Sequence, residues 1–390
     1  MKIVVTGLIA TYPLGGVSWD YIAYVAGFAR LGHEVFYLED TGNWFYDPRA
    51  QTFTDDVAFN IRYLGDAFAF AGINLGNRWS VRSPDGVYHG APQAEVERFC
   101  RSADLLLNVS GACWLRDGYR GARRTAYLDS DPCYSQSKLI AVERGTASDD
   151  VAYSVGLIRA HDCFLTFAEN IGQPSCRIPD CGLQWMSTRQ PIVLEHWPVQ
   201  RDLSAAAFTT VMSWKTDVTL PSIDGTTYGG KNVEFEKFIE LPRRTPAVLE
   251  IAVAGDAPRE RLRQWGWRVV DPQQYSNTMV AYRDYLGRSR GEWSVAKNAY
   301  VASRSGWFSC RSAAYLALGK PVIVEDTGFR AYYPTGSGLL AFSTMDEAVE
   351  ALAAVNRDYR RHCEAARALA EREFAADRVL TQLLQTIGLG

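Results

Sequence analysis

What the sequence lacks narrows it first. Its eight cysteines, Cys100, Cys113, Cys133, Cys163, Cys176, Cys181, Cys310 and Cys363, form no C-x-x-C pair and are too sparse in 390 residues for a disulfide scaffold. Reduced, mostly buried thiols in a cytoplasmic protein are the expectation. The nearest pair, Cys176 and Cys181, has no histidine close by and does not read as a zinc site. The five histidines, His33, His89, His161, His196 and His362, lie too far apart for metal-ligand spacing. Neither a metal nor a bound cofactor is therefore expected. No stretch reaches the roughly 18 apolar residues of a membrane span. Residues 3–19 hold Pro13 and three glycines, and read as strand and loop rather than signal peptide. An excess of one charge is also missing. The 41 Lys and Arg against 44 Asp and Glu leave −3, which argues against a chain-wide grip on nucleic acid or anionic lipid. The G-x-G-x-x-G fingerprint and the G-x-S-x-G elbow are both absent, which disfavours a dinucleotide oxidoreductase and a serine hydrolase.

What is present is an α/β pattern, repeated. Ile3-Val4-Val5 is a short buried strand, followed by a loop with Gly15-Gly16 and a helix from about Ser18. Gly32 ends that helix and Glu34 to Leu38 is the next strand, which makes a βαβ unit. Further strands are expected at 105–109, 125–128 and 163–166. Proline-rich texture at 190–205, with Arg201-Asp202-Leu203-Ser204, resembles a connection between domains. A second series follows: strands at 248–254, 267–270 and 321–324, a short helix from Arg259 to Trp265, and a helical tail from about Met345. The fold class is α/β, as two doubly wound, Rossmann-like domains in tandem.

Several clusters carry possible chemistry. Gly15 and Gly16 allow close backbone approach at a helix start, where N–H groups and the dipole favour an anion; the alternative is a simple turn. Asp20, expected in the first helical turn, either complements the dipole or faces a cleft as a base. Asp129 and Asp131 flank the end of a strand, and at most one of them is expected to aim into a site. An Asp-Pro turn explains the same residues structurally. Glu169 follows the strand at 163–166 in the same way. Lys231 follows Gly229-Gly230 at a helix start, either a phosphate-binding cation or a solvated one. Arg304, Ser309, Arg311 and Ser312 form the densest polar run and lead into an apolar helix. That is a diphosphate site, or serine capping with an arginine paired to a carboxylate.

Gly15-Gly16 with its helix and Gly32-His33-Glu34-Val35 resemble the start of GT-B glycosyltransferases. Ala314 to Leu318 followed by Gly319-Lys320-Pro321-Val322-Ile323 resembles their closing helix, Gly-Lys-Pro and strand. The resemblance implies an N-terminal acceptor domain at 1–198, a C-terminal nucleotide-sugar domain at 199–360, and helices at 361–390 returning to the first. It places the loop containing Asp326 by the donor sugar, and Trp19 with Glu169 on the acceptor side. The paired glutamates of retaining members fall on Gly306 and Ala314, so that motif is missing. Gly306 to Ser309 is similar to the phosphate loop of inverting plant-type enzymes, displaced by about two residues. Their catalytic histidine is absent, and Asp20 is the nearest acid.

The activity implied is metal-independent transfer of a sugar from a nucleotide diphosphate to a small-molecule or glycan acceptor. Lys231 and Arg311 would neutralise the leaving diphosphate, and Asp20, Asp129 or Asp131 would take the acceptor proton. A nucleotide- or glycan-binding protein without transferase activity, and a sugar-nucleotide epimerase of the same fold, are the rival readings.

Overall fold

The computed structural model describes residues 1–200, 202, 204–215, 223 and 225–390. Of the expected domain connection, positions 201 and 203 lie outside the described residues.

Two sheets organise the chain. The first contains β1 (Lys2–Thr6), β2 (Glu34–Glu39), β3 (Trp79–Arg82), β4 (Tyr88–Gly90), β5 (Leu105–Val109), β6 (Thr125–Asp129), β7 (Cys163–Thr166) and β8 (Trp185–Ser187). Their spatial order is β8-β7-β6-β5-β1-β2-β3-β4, parallel throughout except for the β3–β4 edge. The second sheet contains β9 (Ala207–Ser213), β10 (Val248–Ala254), β11 (Arg268–Val270), β12 (Gly291–Ser294), β13 (Val322–Glu325) and β14 (Leu339–Phe342). It is fully parallel, in the order β11-β10-β9-β12-β13-β14. In both, order reverses beside the first strand, and open parallel sheets bind ligands outside the strand C-termini at that point. Every residue of β5 and β6 is buried, as expected where helices cover both faces of a parallel sheet.

The helices that matter to the site are α1 (Gly15–Arg30), α2 (Tyr134–Glu143), α3 (Lys231–Phe235), α4 (Met279–Gly287), α5 (Asn298–Ala302), α6 (Cys310–Ala317), α7 (Tyr359–Glu373) and α8 (Ala376–Thr386). Each sheet keeps an apolar cluster of its own, around Val4, Phe36 and Leu106 in the first and Phe208, Ile251 and Trp293 in the second, and a third cluster joins them. It runs from Ile3 and Tyr24 through Met279 and Leu316 to Leu384. The tail makes the join. α7 packs on α6, and contacts from the tail to the first domain's segment include Arg367 Nη1 to Trp197 C=O at 2.9 Å and Glu373 with Arg189 at 2.5 Å. Ile192 N–H donates to Phe374 C=O at 2.7 Å, and Ala376 N–H to Ile192 C=O at 2.9 Å. α8 then lies along α1, where a Cβ on Gly27 would come within 3.2 Å of Ala376 and closer still to Leu380.

Candidate active site

The loop that leads from β1 into α1 is shaped by a buried acid. Glu39 accepts Ala10 N–H at 2.7 Å, Thr11 N–H at 2.9 Å and Tyr37 O–H at 2.6 Å. Burial raises the Glu39 carboxyl, and these bonds oppose the rise. With the loop drawn in, α1 starts at Gly15, three residues before the expected Ser18. This corrects the dipole reading of Asp20, which sits in the second turn and not the first. The Asp20 carboxyl is raised to about 7, chiefly by burial and then by Asp131, with Arg311 opposing. Asp20, on the first domain, therefore feels a guanidinium of the second.

The two carboxylates separate because β6 ends at Asp129 and the chain bends at Ser130 and Asp131; on a continued strand they would share a face. Asp129 turns inward, 2% exposed. It accepts Ser135 Oγ at 2.8 Å, Gln136 Nε2 at 3.0 Å and Thr166 Oγ1 at 3.2 Å. Those three donors make it the anchor for the start of α2, which corrects its reading as a catalytic base. Asp131 turns out into the cleft with 52% of its side chain exposed, and pairs with Lys297 Nζ at 2.5 Å across the domains. Tyr300 O–H donates to the same oxygen. Burial works against the Asp131 charge, but Lys297 and Tyr300 hold its carboxyl below the ordinary value.

On the second domain Lys231 opens α3 behind Gly230. No ion pair forms on it among the described residues. Burial lowers its ammonium well below the ordinary lysine value, and Arg311 and Lys297 lower it further, against Glu292 and Asp131. An unpaired cation beside two others is a site that an anion would stabilise.

Arg311 Nε donates to Glu292 at 2.7 Å, Nη1 to Val211 C=O at 2.7 Å and Nη2 to Ser294 Oγ at 2.8 Å. Glu292 on β12 is fully buried, so Arg311 is a structural counter-charge whose field, not its hydrogen bonds, reaches the cleft. This is the arrangement of the stated alternative, an arginine paired to a carboxylate. Ser309 stands at the N-cap of α6 without a side-chain capping bond. Ser312 is buried with its hydroxyl unpartnered.

Five other expectations are corrected by their surroundings. A Cβ on Gly15 would collide with the Thr278 carbonyl and reach 2.9 Å from Tyr282 Cβ, and one on Gly16 would lie 3.1 Å from the Tyr282 ring. Both glycines allow the close approach of α1 to α4. Trp19 is 5% exposed and stacks near Trp197 and Phe70. Its indole N–H donates to Met279 C=O at 2.9 Å, which makes it interdomain core and not an acceptor surface. Glu169 pairs with Arg189 at 2.8 Å and accepts Tyr333 O–H at 2.5 Å, so its carboxylate is occupied. Asp326 caps its own turn through Gly328 N–H at 2.9 Å and pairs with Arg330 at 3.1 Å. Arg304 contributes backbone: with φ +52 it presents its carbonyl to Asn170 Nδ2 at 2.8 Å, while its side chain is exposed.

The cleft thus gathers Asp20, Asp131, Lys231 and Lys297, with Arg311 behind them. Lys297 and Tyr300 escaped the sequence reading because no glycine loop or motif marks them. Trp307 adds a further link, its indole N–H reaching Ser130 C=O at 2.9 Å. Among the described residues no group of three or more His, Cys, Asp or Glu is placed to hold a metal ion, and no helix is long and apolar enough to cross a membrane.

Residues 233–385 match a family model described as glycosyl transferase-like. No curated protein matches the chain. Among solved structures, HepE of Anabaena in complex with UDP-glucose is 12% identical with a TM-score of 0.59, covering 99% of each chain. AviGT4, a glycosyltransferase involved in avilamycin A biosynthesis, is 14% identical with a TM-score of 0.55, covering 99% of this chain and 96% of its own. Sucrose-phosphate synthase from Thermosynechococcus elongatus is 12% identical with a TM-score of 0.55, covering 99% and 98%. At such identities the likeness is one of fold. The chain therefore has the GT-B fold, and its residues 233–385 carry the glycosyl transferase-like match.

Proposed function

We propose that the interdomain cleft transfers a sugar from a nucleoside diphosphate to an acceptor hydroxyl, with Lys231 and Lys297 on the leaving group and Asp20 as base. One observation carries the reading. An acid raised to about 7 and an unpaired lysine with a depressed ammonium share the neighbours Asp131 and Arg311 across one cleft. A base works best when its affinity for a proton lies near the working pH. Ammonium groups held in a partly dry site stabilise charge that grows as the sugar C1–O bond breaks towards the diphosphate.

In an inverting course the acceptor oxygen attacks the sugar C1, its proton passes to Asp20, and the C1–O electron pair leaves with the diphosphate. Two lysines supply the neutralising charge, so the reaction calls for no metal. Asp131 keeps Lys297 in place and shares that ammonium with the incoming phosphate. Arg311 fixes Glu292 under the site and lends its field. The first donor to test is UDP-glucose, because HepE holds it in the same fold.

Calorimetric titration with UDP, GDP and ADP, followed by hydrolysis and transfer assays with the matching sugars, tests the proposal. The expected result is binding of one diphosphate that is lost in Lys231→Ala, and turnover that is lost in Asp20→Asn with binding retained. No diphosphate binding by the wild type, or full turnover by Asp20→Asn, refutes it.

A further inference from the structure

Below the cleft, on the side of the second domain, two carboxyl groups meet away from water. Glu234 lies on α3, three residues after Lys231, with its side chain fully buried. Glu325 ends β13 and is 4% exposed. Asn298 Nδ2 donates to Glu234 Oε1 at 2.6 Å, and Lys237 Nζ donates to its Oε2 at 2.5 Å. Ala296 N–H donates to Glu325 Oε2 at 3.2 Å. The two carboxyls also lie within hydrogen-bonding reach of each other around the same turn, Glu325 through Ala296 and Glu234 through Asn298. An ionised carboxylate offers only lone pairs, so a bond between two of them requires a proton on one.

The surroundings decide which one. Burial and then Glu234 raise Glu325, whose further polar neighbours are the Ala296 N–H and the more distant Lys237 ammonium. Glu234 is also buried, but hydrogen bonds from Glu325, Asn298 and Lys237 hold its carboxyl down. The arrangement is a neutral Glu325 donating to an anionic Glu234.

This pair is joined to the backbone that carries the cleft cations. Asn298 uses its Oδ1 to accept Gly229 N–H at 2.9 Å, and its own N–H donates to Gly230 C=O at 3.3 Å. Gly230 precedes Lys231, and Asn298 follows Lys297. Glu325 grips the same turn from below through Ala296. A dianionic pair here would repel in a medium of low dielectric and push α3 away from the sheet edge.

We propose that Glu234 and Glu325 share a single proton, and that this acid pair is the positioning device that holds Lys231 and Lys297 at the anion-binding rim of the cleft. The identification of that anion as a diphosphate rests on the function proposed above. Neither carboxyl touches the substrate; both act through the lysines.

The test compares wild type with Glu325→Gln and Glu325→Leu, using infrared spectroscopy for the proton and calorimetry with UDP and with pyrophosphate for the rim. Glutamine keeps the hydrogen bond to Glu234 without a titrating proton. The wild type should show the carbonyl stretch of a buried, protonated carboxylic acid at pH 8, and Glu325→Gln should lose it. Anion affinity should stay within about threefold in Glu325→Gln and fall by about tenfold or more in Glu325→Leu, as expected for a charge-assisted network left unsatisfied. Absence of the band in wild type, its persistence in Glu325→Gln, or unchanged affinity in Glu325→Leu overturns the proposal. If the wild type binds pyrophosphate but no nucleotide, the donor assignment falls while the pyrophosphate series still judges the acid pair. If it binds neither, the positioning role falls as well.

Discussion

Replacing Asp20 by asparagine separates what the carboxyl does for catalysis from what it costs the fold. Its rise from 3.8 to about 7 corresponds to roughly 4 kcal/mol of penalty on the ionised form in the folded state. The sign follows from linkage. Below about pH 4 the carboxyl is protonated in both the folded and the unfolded chain, and the penalty is absent. Between about 4 and 7 the unfolded chain releases the proton while the folded one keeps it, so stability falls with rising pH by up to about 1.4 kcal/mol per pH unit. Above about 7 the whole penalty is present. Asparagine removes it, so Asp20→Asn should match the wild type near pH 4 and exceed it by about 2–4 kcal/mol at pH 8. Urea unfolding of the two proteins side by side at pH 4, 6 and 8 reads that difference. The same variant should lose turnover at every pH, whereas wild-type kcat/KM should pass its half-maximum near pH 7 as Asp20 ionises and level off about one unit above it. A stability difference that does not change with pH refutes the reasoning, as does an active variant.

Lys231→Ala should leave the melting temperature within about 3 °C of wild type or raise it, since an unpaired, partly buried ammonium is removed, while donor affinity drops by roughly 30- to 100-fold in calorimetry. Arg311→Ala should behave in the opposite way. It strands the buried Glu292 and should cost about 3–5 kcal/mol in denaturant unfolding, and a stable but inactive variant would instead mark Arg311 as a direct phosphate ligand. Gly15→Ala forces a methyl into the Thr278 carbonyl, so thermal unfolding should register about 1–3 kcal/mol of overpacking between α1 and α4, and an unchanged transition would argue against that contact.

The legible parts of this chain share a property. β1, β2, β5 and β10 are runs of branched and aliphatic residues, because a parallel sheet covered on both faces needs them. β9 and β12 escaped the sequence reading. Thr209 and Thr210 lie within β9, and Gly291-Glu292-Trp293-Ser294 makes up the whole of β12, so neither shows an apolar run. Their polar groups are tolerated inside because partners arrive from far away in the sequence. Thr209 Oγ1 meets the Tyr315 hydroxyl at 2.6 Å, and Glu292 meets Arg311. Missing β12 is also what made Arg311 look free. Asp129 and Asp131 were not separable from sequence, because alternation puts positions two apart on one face and it is the bend after Asp129 that turns Asp131 to the cleft.

The opening βαβ unit, the apolar covered strands and the near balance of charge were determined by the sequence alone. Backbone hydrogen bonding imposes periods of two and 3.6 residues on burial, and those periods survive in the order of residues. The pairing of charges was decided only by the tertiary structure. Arg311 was taken by Glu292 and Lys297 by Asp131, and among the described residues Lys231 was left without an ion pair. Such choices depend on which groups the folded chain brings within a few ångströms of each other, and on how much water it leaves between them. Neither quantity is a property of neighbours in sequence.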